Sequence, residues 1–270
     1  MTRSSERVAR LVMYLTVLFI TVFPTKYYIL SIESWYSFYC AVFICCSGSL
    51  TLVYATLCLC YRGYVVLKDF TNIELSPESR SCHICMQFKP ERSHHCSTCK
   101  KCIKKMDHHC HWLGRCINYD NHGHFVRFLL CMFLNSSAVF AFNSYYLVEI
   151  IKYDSYQPTQ LMWAILLLSF TASLLLMCVS CFHLHAQVSM ILLNITFIES
   201  INCYNYGYSE TDSPYNLGLR HNIEDVFGPL KYFLLGSPRG NGIFFRKKYC
   251  VEYWPKHFRS IDRAYEKIII

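Results

Sequence analysis

The part of this sequence with the clearest chemical potential is the stretch from Cys82 to Cys116, which holds seven cysteines and six histidines. Its cysteines are Cys82, Cys85, Cys96, Cys99, Cys102, Cys110 and Cys116. Two of the spacings are CxxC, which puts two thiolates on one tight turn, and zinc takes four cysteine or histidine ligands in a tetrahedron. We therefore expect two closed zinc sites. If each takes three cysteines and one histidine, one thiol remains uncommitted.

The spacing alone leaves open which thiol that is. Ligands taken in sequence order would place both CxxC pairs on one ion, and the last three cysteines with a histidine on the other. In that arrangement every thiol has a structural role, as in most closed zinc sites. In an arrangement that spares one cysteine, the free thiol can act as a nucleophile.

The wider pattern runs C-x2-C, HC-x2-C-x2-C, then Asp107-His108-His109-Cys110, then a cysteine six residues later. It resembles the DHHC family of protein S-acyltransferases, and every position of that pattern is filled. The resemblance implies that the zinc ligands interleave and that Cys110 is the free thiol. The implied ligand sets are Cys82, Cys85, His95 and Cys102 for one ion, and Cys96, Cys99, His109 and Cys116 for the other. One departure is His111, where the family usually has proline.

The resemblance assigns Cys110 as the catalytic nucleophile, and its neighbours suit the chemistry that a thiol requires. A free cysteine has a pKa of about 8.5, so only a small fraction is thiolate at neutral pH unless a base or positive charge lies nearby. His108 is the candidate base, and Asp107 can hold its imidazole in one tautomer. His109 is less suited because zinc would occupy one of its nitrogens. An alternative role for Asp107 is to hydrogen-bond a zinc-bound histidine.

The elements that must position these residues are membrane helices. Of the 270 residues, 53% are hydrophobic and only 16% are charged. Four runs reach the length of about twenty residues that a helix needs to cross a bilayer. We expect spans near 11–30, Tyr36–Tyr61, Phe125–Ile150 and Leu161–His183, with Pro24 kinking or ending the regular part of the first. A basic start before an apolar run is also typical of a secretory signal, but no small-residue cleavage site follows it.

Charge sets the expected topology. The loop from Arg62 to His124 holds ten Lys or Arg residues, whereas the two opposite loops carry Lys26 and Lys152. The positive-inside rule then places this loop and both ends of the chain in the cytosol, where thiols stay reduced. The predicted fold class is an all-α polytopic membrane protein, with four transmembrane helices and a cytosolic two-zinc cysteine-rich domain between the second and third. The predicted segments are 1–61, 62–124, 125–184 and a cytosolic tail at 185–270.

Two segments of the tail extend the resemblance. Thr196-Phe197-Ile198-Glu199 stands where the family carries a TTxE motif, with Phe197 in place of the second threonine. Ser213–Gly228 resembles the family's C-terminal segment, whose asparagine matches Asn222. In the family these segments help to pack the tail against the cytosolic domain. Simpler interpretations are that Thr196 and Glu199 form a capping box, and that Asn222 caps a short helix.

The expected position of the nucleophile at the cytosolic membrane surface selects a substrate class. A long-chain acyl-CoA such as palmitoyl-CoA would place its acyl chain among the helices and its anionic nucleotide against basic residues. The resemblance puts Lys89 and Arg92 near the CoA phosphates, with Lys101, Lys104 and Lys105 as further candidates. The alternative for these residues is a solvated basic face. We expect Trp112 to pack beside the thioester at the boundary between water and lipid.

Asn135 falls about 15 Å into the third span, at 1.5 Å per residue. A polar side chain at that depth needs a hydrogen-bond partner and usually faces the bundle interior. It can join helices, with Ser136 or Ser137 as partners. By the resemblance it can instead close the end of the acyl cavity and limit chain length. Both interpretations stay open on the sequence.

The expected partners are membrane-associated proteins with cytosolic cysteines and the lipid bilayer itself, in the endoplasmic reticulum or Golgi. The net charge of +8 does not indicate nucleic-acid binding, because the basic residues flank membrane spans and no recognition-helix pattern is present. The need for an accessory subunit is not determined by the sequence. Two other functional classes fit parts of the pattern. One is a membrane-anchored zinc module that recruits partners, in which Cys110 would be a ligand or inert, and the other is thiol redox chemistry.

Overall fold

The computed structural model describes residues 3–26, 35–66, 80–152, 158–249 and 254–255. Within these residues, four helices are long and apolar enough to cross a membrane, by length and composition. They are α1 (Arg3–Pro24), α2 (Trp35–Cys60), α3 (His122–Lys152) and α4 (Gln160–Leu193). The predicted fold class is therefore confirmed, with cysteine-rich clusters between α2 and α3. The residues between the first two predicted spans, around 31–34, where we expect a short loop, lie outside the described residues, as does the tail beyond 249 apart from Trp254 and Pro255.

The fourth long helix extends beyond the predicted span. The sequence predicts a span ending near His183, and α4 continues to Leu193, with no glycine or proline among the intervening residues. The helix ends where Asn194 adopts a left-handed conformation with φ 49°. The next N–H, that of Ile195, donates to the carbonyl of Met190 at 3.0 Å. Asparagine is one of the residues that tolerate this conformation after a helix, so the stop signal is local rather than a change in hydropathy.

The chain divides into two compact units. The first comprises Met1–Tyr61, Cys110–Arg115 and Asn121–Gln187, and so contains α1, α2, α3 and α4 as far as Gln187, together with the six residues that start at Cys110. The second comprises Arg62–His109, Cys116–Asp120 and Val188–Ile270.

All four long helices contribute to the core of the first unit. α3 is the most enclosed, since 61% of its most apolar stretch is buried, against 28% for α1 and for α4. The core side chains are Ile20, Ala41, Ile44, Val139, Phe142, Tyr146, Ile165 and Leu166. Large apolar residues such as Leu15 and Phe182 are exposed on α1 and α4. Exposed apolar side chains suit helices whose outer faces meet lipid. Such helices also satisfy their own backbone hydrogen bonds, as the hydrocarbon region requires.

Three short hairpins lie between α2 and α3. They pair β1 (Ser81–Cys82) with β2 (Gln87–Phe88), β3 (His94–Cys96) with β4 (Lys101–Ile103), and β5 (His108–Cys110) with β6 (Arg115–Ile117). Isolated hairpins of this size are marginal in water. The buried clusters around them consist mostly of potential metal ligands, namely Cys82, Cys96, Cys102 and Cys116, with Val65, Ile103 and Met106. A hairpin region with so little apolar core would gain stability from metal bound at these ligands.

The tail forms α5 (Phe197–Tyr206) and α6 (Leu219–Phe227), with 3₁₀ turns at Glu210–Asp212 and Leu230–Tyr232. The capping box at the start of α5 is confirmed. The Glu199 N–H donates to Thr196 Oγ1 at 3.2 Å, and Glu199 Oε2 accepts from the Thr196 N–H at 2.9 Å.

The capping interpretation of Asn222 is wrong. This residue lies inside α6, is fully buried, and follows an N-cap at Gly218. Its Nδ2 donates to the carbonyl of Leu192 at 2.7 Å, and its Oδ1 accepts from the Leu217 N–H at 3.1 Å. Asn222 therefore fastens the tail to the last turn of α4, whose terminal carbonyls have no partner within their own helix.

Candidate active site and metal centres

The first ligand cluster consists of Cys82, Cys85, His95 and Cys102, whose candidate ligand atoms all lie within 4.8 Å of one another. The Nδ1 atom of His95 is 3.6 Å from Cys82 Sγ and 3.3 Å from Cys85 Sγ. Zinc bonds of about 2.3 Å to sulfur and about 2.0 Å to nitrogen give tetrahedral edges of roughly 3.5 Å. The donor set and its spacing therefore fit a closed zinc site.

The second ligand cluster consists of Cys96, Cys99, His109 and Cys116, again within 4.8 Å. The Nδ1 atom of His109 lies 3.5, 3.5 and 3.4 Å from the sulfurs of Cys96, Cys99 and Cys116. The sulfurs of Cys99 and Cys116 are 3.5 Å apart. This cluster has the same donor set, three thiols and one imidazole, and fits zinc equally well.

Strand geometry explains why the two ligand sets interleave along the chain. His95 and Cys96 are consecutive in β3, and consecutive side chains of a strand point to opposite faces. His95 pairs with Cys102 across the hairpin, and both belong to the first cluster. Cys96 faces the other way and joins the second. A sequential grouping would need Cys82, Cys85 and Cys96 around one ion, and the alternation of β3 prevents it.

Each CxxC turn ends in a residue with a left-handed backbone. Met86 follows Cys85 with φ 49°, and Lys100 follows Cys99 with φ 57°. For residues other than glycine this conformation costs roughly 1–2 kcal/mol. Such strain persists where the surroundings determine the backbone strongly. Bound metal would supply that constraint, because it fixes the two sulfurs of each turn.

Cys110 belongs to neither ligand cluster, the only cysteine of the Cys82–Cys116 stretch with that property among the described residues. It is 7% exposed and ends β5. The alternation of β5 turns His109 toward the second cluster, and places His108 and Cys110 on the opposite face of the strand. The strand thus separates one residue of the second ligand cluster from two that belong to neither four-ligand cluster.

His108 is held by a carboxylate. Its Nδ1 lies 2.7 Å from Oδ2 of Asp107, which is fully buried. The other oxygen, Oδ1, accepts a hydrogen bond from the backbone N–H of Phe197 at 2.8 Å, and the Phe197 ring stands edge-on to the His108 ring at 6.3 Å between centroids. A base oriented by a carboxylate is the arrangement that prepares an imidazole to accept a proton at its other nitrogen. Since Asp107 contacts His108, the geometry favours this role over support of a ligand histidine.

The contact from Phe197 could not be found from the sequence. The family pattern has a threonine at that position, whereas the structure uses the main-chain N–H of Phe197, which any residue except proline supplies. The N–H belongs to the first turn of α5 and has no partner within the helix. A carboxylate is favoured at such a helix start.

Arg92 occupies a different environment from the one predicted. Its guanidinium is buried, with Nε 2.7 Å from Glu199 Oε1 and Nη2 2.6 Å from Oε2. It also donates to the carbonyl of Asn194 at 2.9 Å and stacks on the Tyr215 ring at 4.0 Å. Burial opposes its charge, but the carboxylate of Glu199 outweighs burial and raises the pKa of Arg92. Arg92 therefore ties the cysteine-rich segment to the tail instead of facing solvent, where CoA phosphates were expected.

The other predicted basic contacts differ in exposure. Lys89 is buried, and so is Lys105, whose ammonium lies 5.8 Å from the centre of the Phe245 ring. Burial lowers the pKa of Lys105 to about 8, with the positive charge of Arg92 acting in the same direction. Lys101 is exposed, and Lys104 is half-buried with its ammonium 3.9 Å from Asp120. The cations open to a soluble anion are thus not the two assigned by resemblance.

Trp112 and Asn135 lie in the first unit. Trp112 is 55% exposed, which leaves its ring available to an interface. Asn135 is buried, and its Nδ2 donates to the Ile44 carbonyl at 2.9 Å, with Ser47 Oγ at 3.3 Å and Thr21 Oγ1 at 3.4 Å. These partners belong to α1 and α2, not to the Ser136 or Ser137 that we expected. The contacts favour the interhelical role over that of a residue lining a cavity.

Comparison with known protein families adds an independent finding. Residues 75–204 match the family model described as DHHC palmitoyltransferase. The match begins before the first CxxC pair and ends within α5, so it includes both ligand clusters, the Asp107–His108 pair, Cys110 and Glu199. Residues 75–204 of this chain are therefore similar to the DHHC palmitoyltransferase family.

Proposed function

We propose that this chain is a protein S-acyltransferase that moves a long-chain acyl group, such as palmitoyl, from acyl-CoA to cysteines of substrate proteins. The observation that carries the proposal is the position of Cys110. It is the cysteine left outside both four-ligand clusters. In the sequence it follows the hydrogen-bonded Asp107–His108 pair, with His109 of the second cluster between them. The match of residues 75–204 to the DHHC palmitoyltransferase family model supports the same activity.

In the first step, the Cys110 thiol loses its proton to His108 and its sulfur attacks the carbonyl carbon of the acyl-CoA thioester. The carbon–sulfur bond to CoA breaks, and the CoA sulfur leaves with a proton returned by His108. The product is an acyl thioester on Cys110 and free CoA. Asp107 stabilises the transient imidazolium and keeps the ring in one tautomer.

In the second step, the thiol of a substrate-protein cysteine loses its proton to His108, and its sulfur attacks the acyl carbon of the acyl-enzyme. The bond between that carbon and the Cys110 sulfur breaks, His108 returns the proton to Cys110, and the acyl group is now a thioester on the substrate protein. Both thioesters have similar energy, so positioning and base catalysis suffice and no further energy source is needed. The two zinc ions would hold the loop in one conformation through the eight ligands of the clusters.

The acyl chain and the nucleotide require opposite surroundings. The residues Cys110–Arg115 belong to the same compact unit as the four long helices, which supports a thiol that meets an acyl chain held among them. For the CoA phosphates we propose exposed lysines such as Lys101 and Lys104, since the side chain of Arg92 is engaged with Glu199. Trp112 is proposed to cover the thioester from the side of the lipid head groups.

The proposed setting is an endomembrane, the endoplasmic reticulum or Golgi, with the clusters and both chain ends in the cytosol. There the acceptors are cysteines of membrane-associated proteins. Nucleic acid is not among the proposed partners.

The test is incubation of the purified full chain with radiolabelled palmitoyl-CoA, followed by hydroxylamine, which cleaves thioesters. We expect hydroxylamine-sensitive label on Cys110, abolished by Cys110→Ser and strongly slowed by His108→Ala. Cys178→Ser, at an exposed cysteine of α4, is the matched control and should label normally. Full thioester labelling of Cys110→Ser would place the nucleophile elsewhere and refute the proposal.

A further inference from the structure

The residues that follow the nucleophile form a closed turn. Within Cys110–Arg115, the N–H of Gly114 donates to the carbonyl of His111 at 3.2 Å. Gly114 has φ +58°, a conformation that favours glycine. The turn therefore has a defined shape, and whatever fixes it also fixes the direction in which the backbone leaves Cys110.

Two residues of α1 lie against this turn. The Oε1 atom of Glu6 is 3.8 Å from Nδ1 of His111. A Cβ placed on Gly114 would stand 2.7 Å from Nη2 of Arg10 and 3.2 Å from the Cβ of Glu6, so the backbone of the turn lies directly against these two residues of α1. Glu6 and Arg10 are four residues apart, which puts them on one face of the helix. That face is the one on which the turn rests.

The contact between Glu6 and the turn involves a buried carboxylate. Glu6 is 5% exposed, and a carboxylate is buried to that degree only where neighbouring groups compensate its lost hydration. The His111 side chain, in contrast, is 53% exposed. The buried carboxylate thus lies within ion-pair distance of a ring of which about half the surface remains in solvent.

We propose that Glu6 and Arg10 are positioning residues, which hold the turn after Cys110 so that its thiol is aligned for acyl transfer. The inference rests on the proposed function and adds a role for α1 to it. A proline at position 111 would lock its own φ near −65°. Histidine has no such lock, and α1 supplies the restraint through side chains.

The test is a double-mutant cycle between Glu6 and position 111 in the full chain, reconstituted in lipid nanodiscs. The measured quantity is the single-turnover rate constant of Cys110 acylation by palmitoyl-CoA. We expect Glu6→Gln to lower it about tenfold, because small misplacements of a reacting group cost one to two orders of magnitude. The palmitoyl-CoA concentration for half-saturation and the zinc content should not change. In the His111→Pro background, Glu6→Gln should have little further effect.

The controls separate positioning from loss of charge or fold. Glu149→Gln, on α3, makes the same chemical change away from the turn and should keep the parent rate. Arg10→Gln should slow acylation, whereas Arg7→Gln, at an exposed position of the same helix, should not. If Glu6→Gln loses zinc or unfolds, His111→Ala serves in its place. It removes the same contact by changing the more exposed partner, and it should lower the acylation rate constant by the same factor.

Three outcomes are decisive. A parent-like rate in both Glu6→Gln and His111→Ala would overturn the inference and leave the proposed function intact. An equal drop for Glu6→Gln with histidine and with proline at position 111 would also overturn it, because the effect would not pass through the turn. A parent chain that forms no thioester at all would instead refute the proposed function, and the inference with it.

Discussion

Asp107 shares its carboxylate between two partners that are far apart in the chain: Oδ2 lies 2.7 Å from Nδ1 of His108, and Oδ1 accepts from the N–H of Phe197 at 2.8 Å. The helix start that supplies this N–H is closed by the Thr196–Glu199 capping box. Glu199 in turn holds Arg92. The orientation of the candidate base thus depends on a helix that begins almost ninety residues later, and Asp107 is the residue through which that dependence acts.

The Phe197 N–H can be removed without disturbing α5. Phe197 is the first residue of that helix, where proline is well tolerated, and Thr196 before it is extended, as a residue preceding proline should be. We expect Phe197→Pro to slow Cys110 acylation about tenfold, in line with a hydrogen bond to a charged group. Phe197→Ala keeps the N–H and should retain most of the rate. Single-turnover labelling measures the acylation rate constant of both variants. Equal rate constants for Phe197→Pro and Phe197→Ala would show that the Phe197 N–H does not affect acylation.

Zinc content distinguishes the two ligand groupings in solution. We expect the parent chain and Cys110→Ser to bind two zinc ions, because Cys110 lies outside both clusters. His95→Ala and His109→Ala should each lose about one ion, since each removes one of four ligands. Metal analysis of the purified variants measures this. A loss of one ion in Cys110→Ser would support the sequential grouping and a structural role for every cysteine.

The buried pair Arg92–Glu199 should act on stability. Removing one partner of a buried ion pair leaves an uncompensated charge and typically costs about 3–5 kcal/mol. We expect Arg92→Leu to lower the thermal midpoint by several degrees, and Arg92→Leu with Glu199→Gln to recover part of the loss, because glutamine preserves the capping box. Palmitoyl-CoA half-saturation should stay near the parent value. A large rise in half-saturation at unchanged stability would instead place Arg92 at the CoA phosphates.

Asn135 should behave as a link between helices. Its amide donates to the Ile44 carbonyl and lies beside Thr21 and Ser47, so Asn135→Ala should lower the free energy of unfolding by about 1–3 kcal/mol. The order of preference among acyl-CoAs of graded length should be that of the parent. Competition assays measure that order. A shift of Asn135→Ala toward longer chains, with Asn135→Phe shifted toward shorter ones, would show that the residue closes the acyl cavity.

Lys105 should impose a pH dependence on stability. Burial lowers its pKa to about 8 from the ordinary 10.5, so above pH 8 the folded state binds fewer protons than the unfolded state. Its contribution therefore becomes more favourable as pH rises from about 8 to about 10.5, and it is least favourable below pH 8. We expect Lys105→Met to be more stable than the parent at pH 7.5, with the difference shrinking by pH 10. Thermal unfolding of both proteins across this range measures it, and a constant difference would contradict the buried, depressed lysine.

The features that the sequence predicted correctly are those set by local chemistry. Each transmembrane helix satisfies its own backbone in lipid, so α2 and α3 could be located by hydropathy within three residues of their observed bounds. The first helix begins at Arg3, eight residues before the predicted span, and ends at Pro24, where its regular part was expected to be kinked or to end. The fourth ended at Asn194 because of backbone conformation, a property that hydropathy does not contain. The Thr196–Glu199 capping box lies within one helical turn, and its two residues sufficed to predict it.

The residue types and spacing between Cys82 and Cys116 determined by themselves that two zinc sites were to be expected, and the resemblance named the thiol left over. Only the tertiary structure decided what surrounds that thiol. Strand alternation in β3 separates His95 from Cys96, while Phe197 reaches Asp107, Glu199 reaches Arg92, and Glu6 reaches His111. Contacts between residues so distant in sequence follow from how the chain folds back on itself, and no spacing rule encodes them. Ligand spacing is a property of single turns and strands, whereas the alignment of a catalytic group is a property of the packing between them.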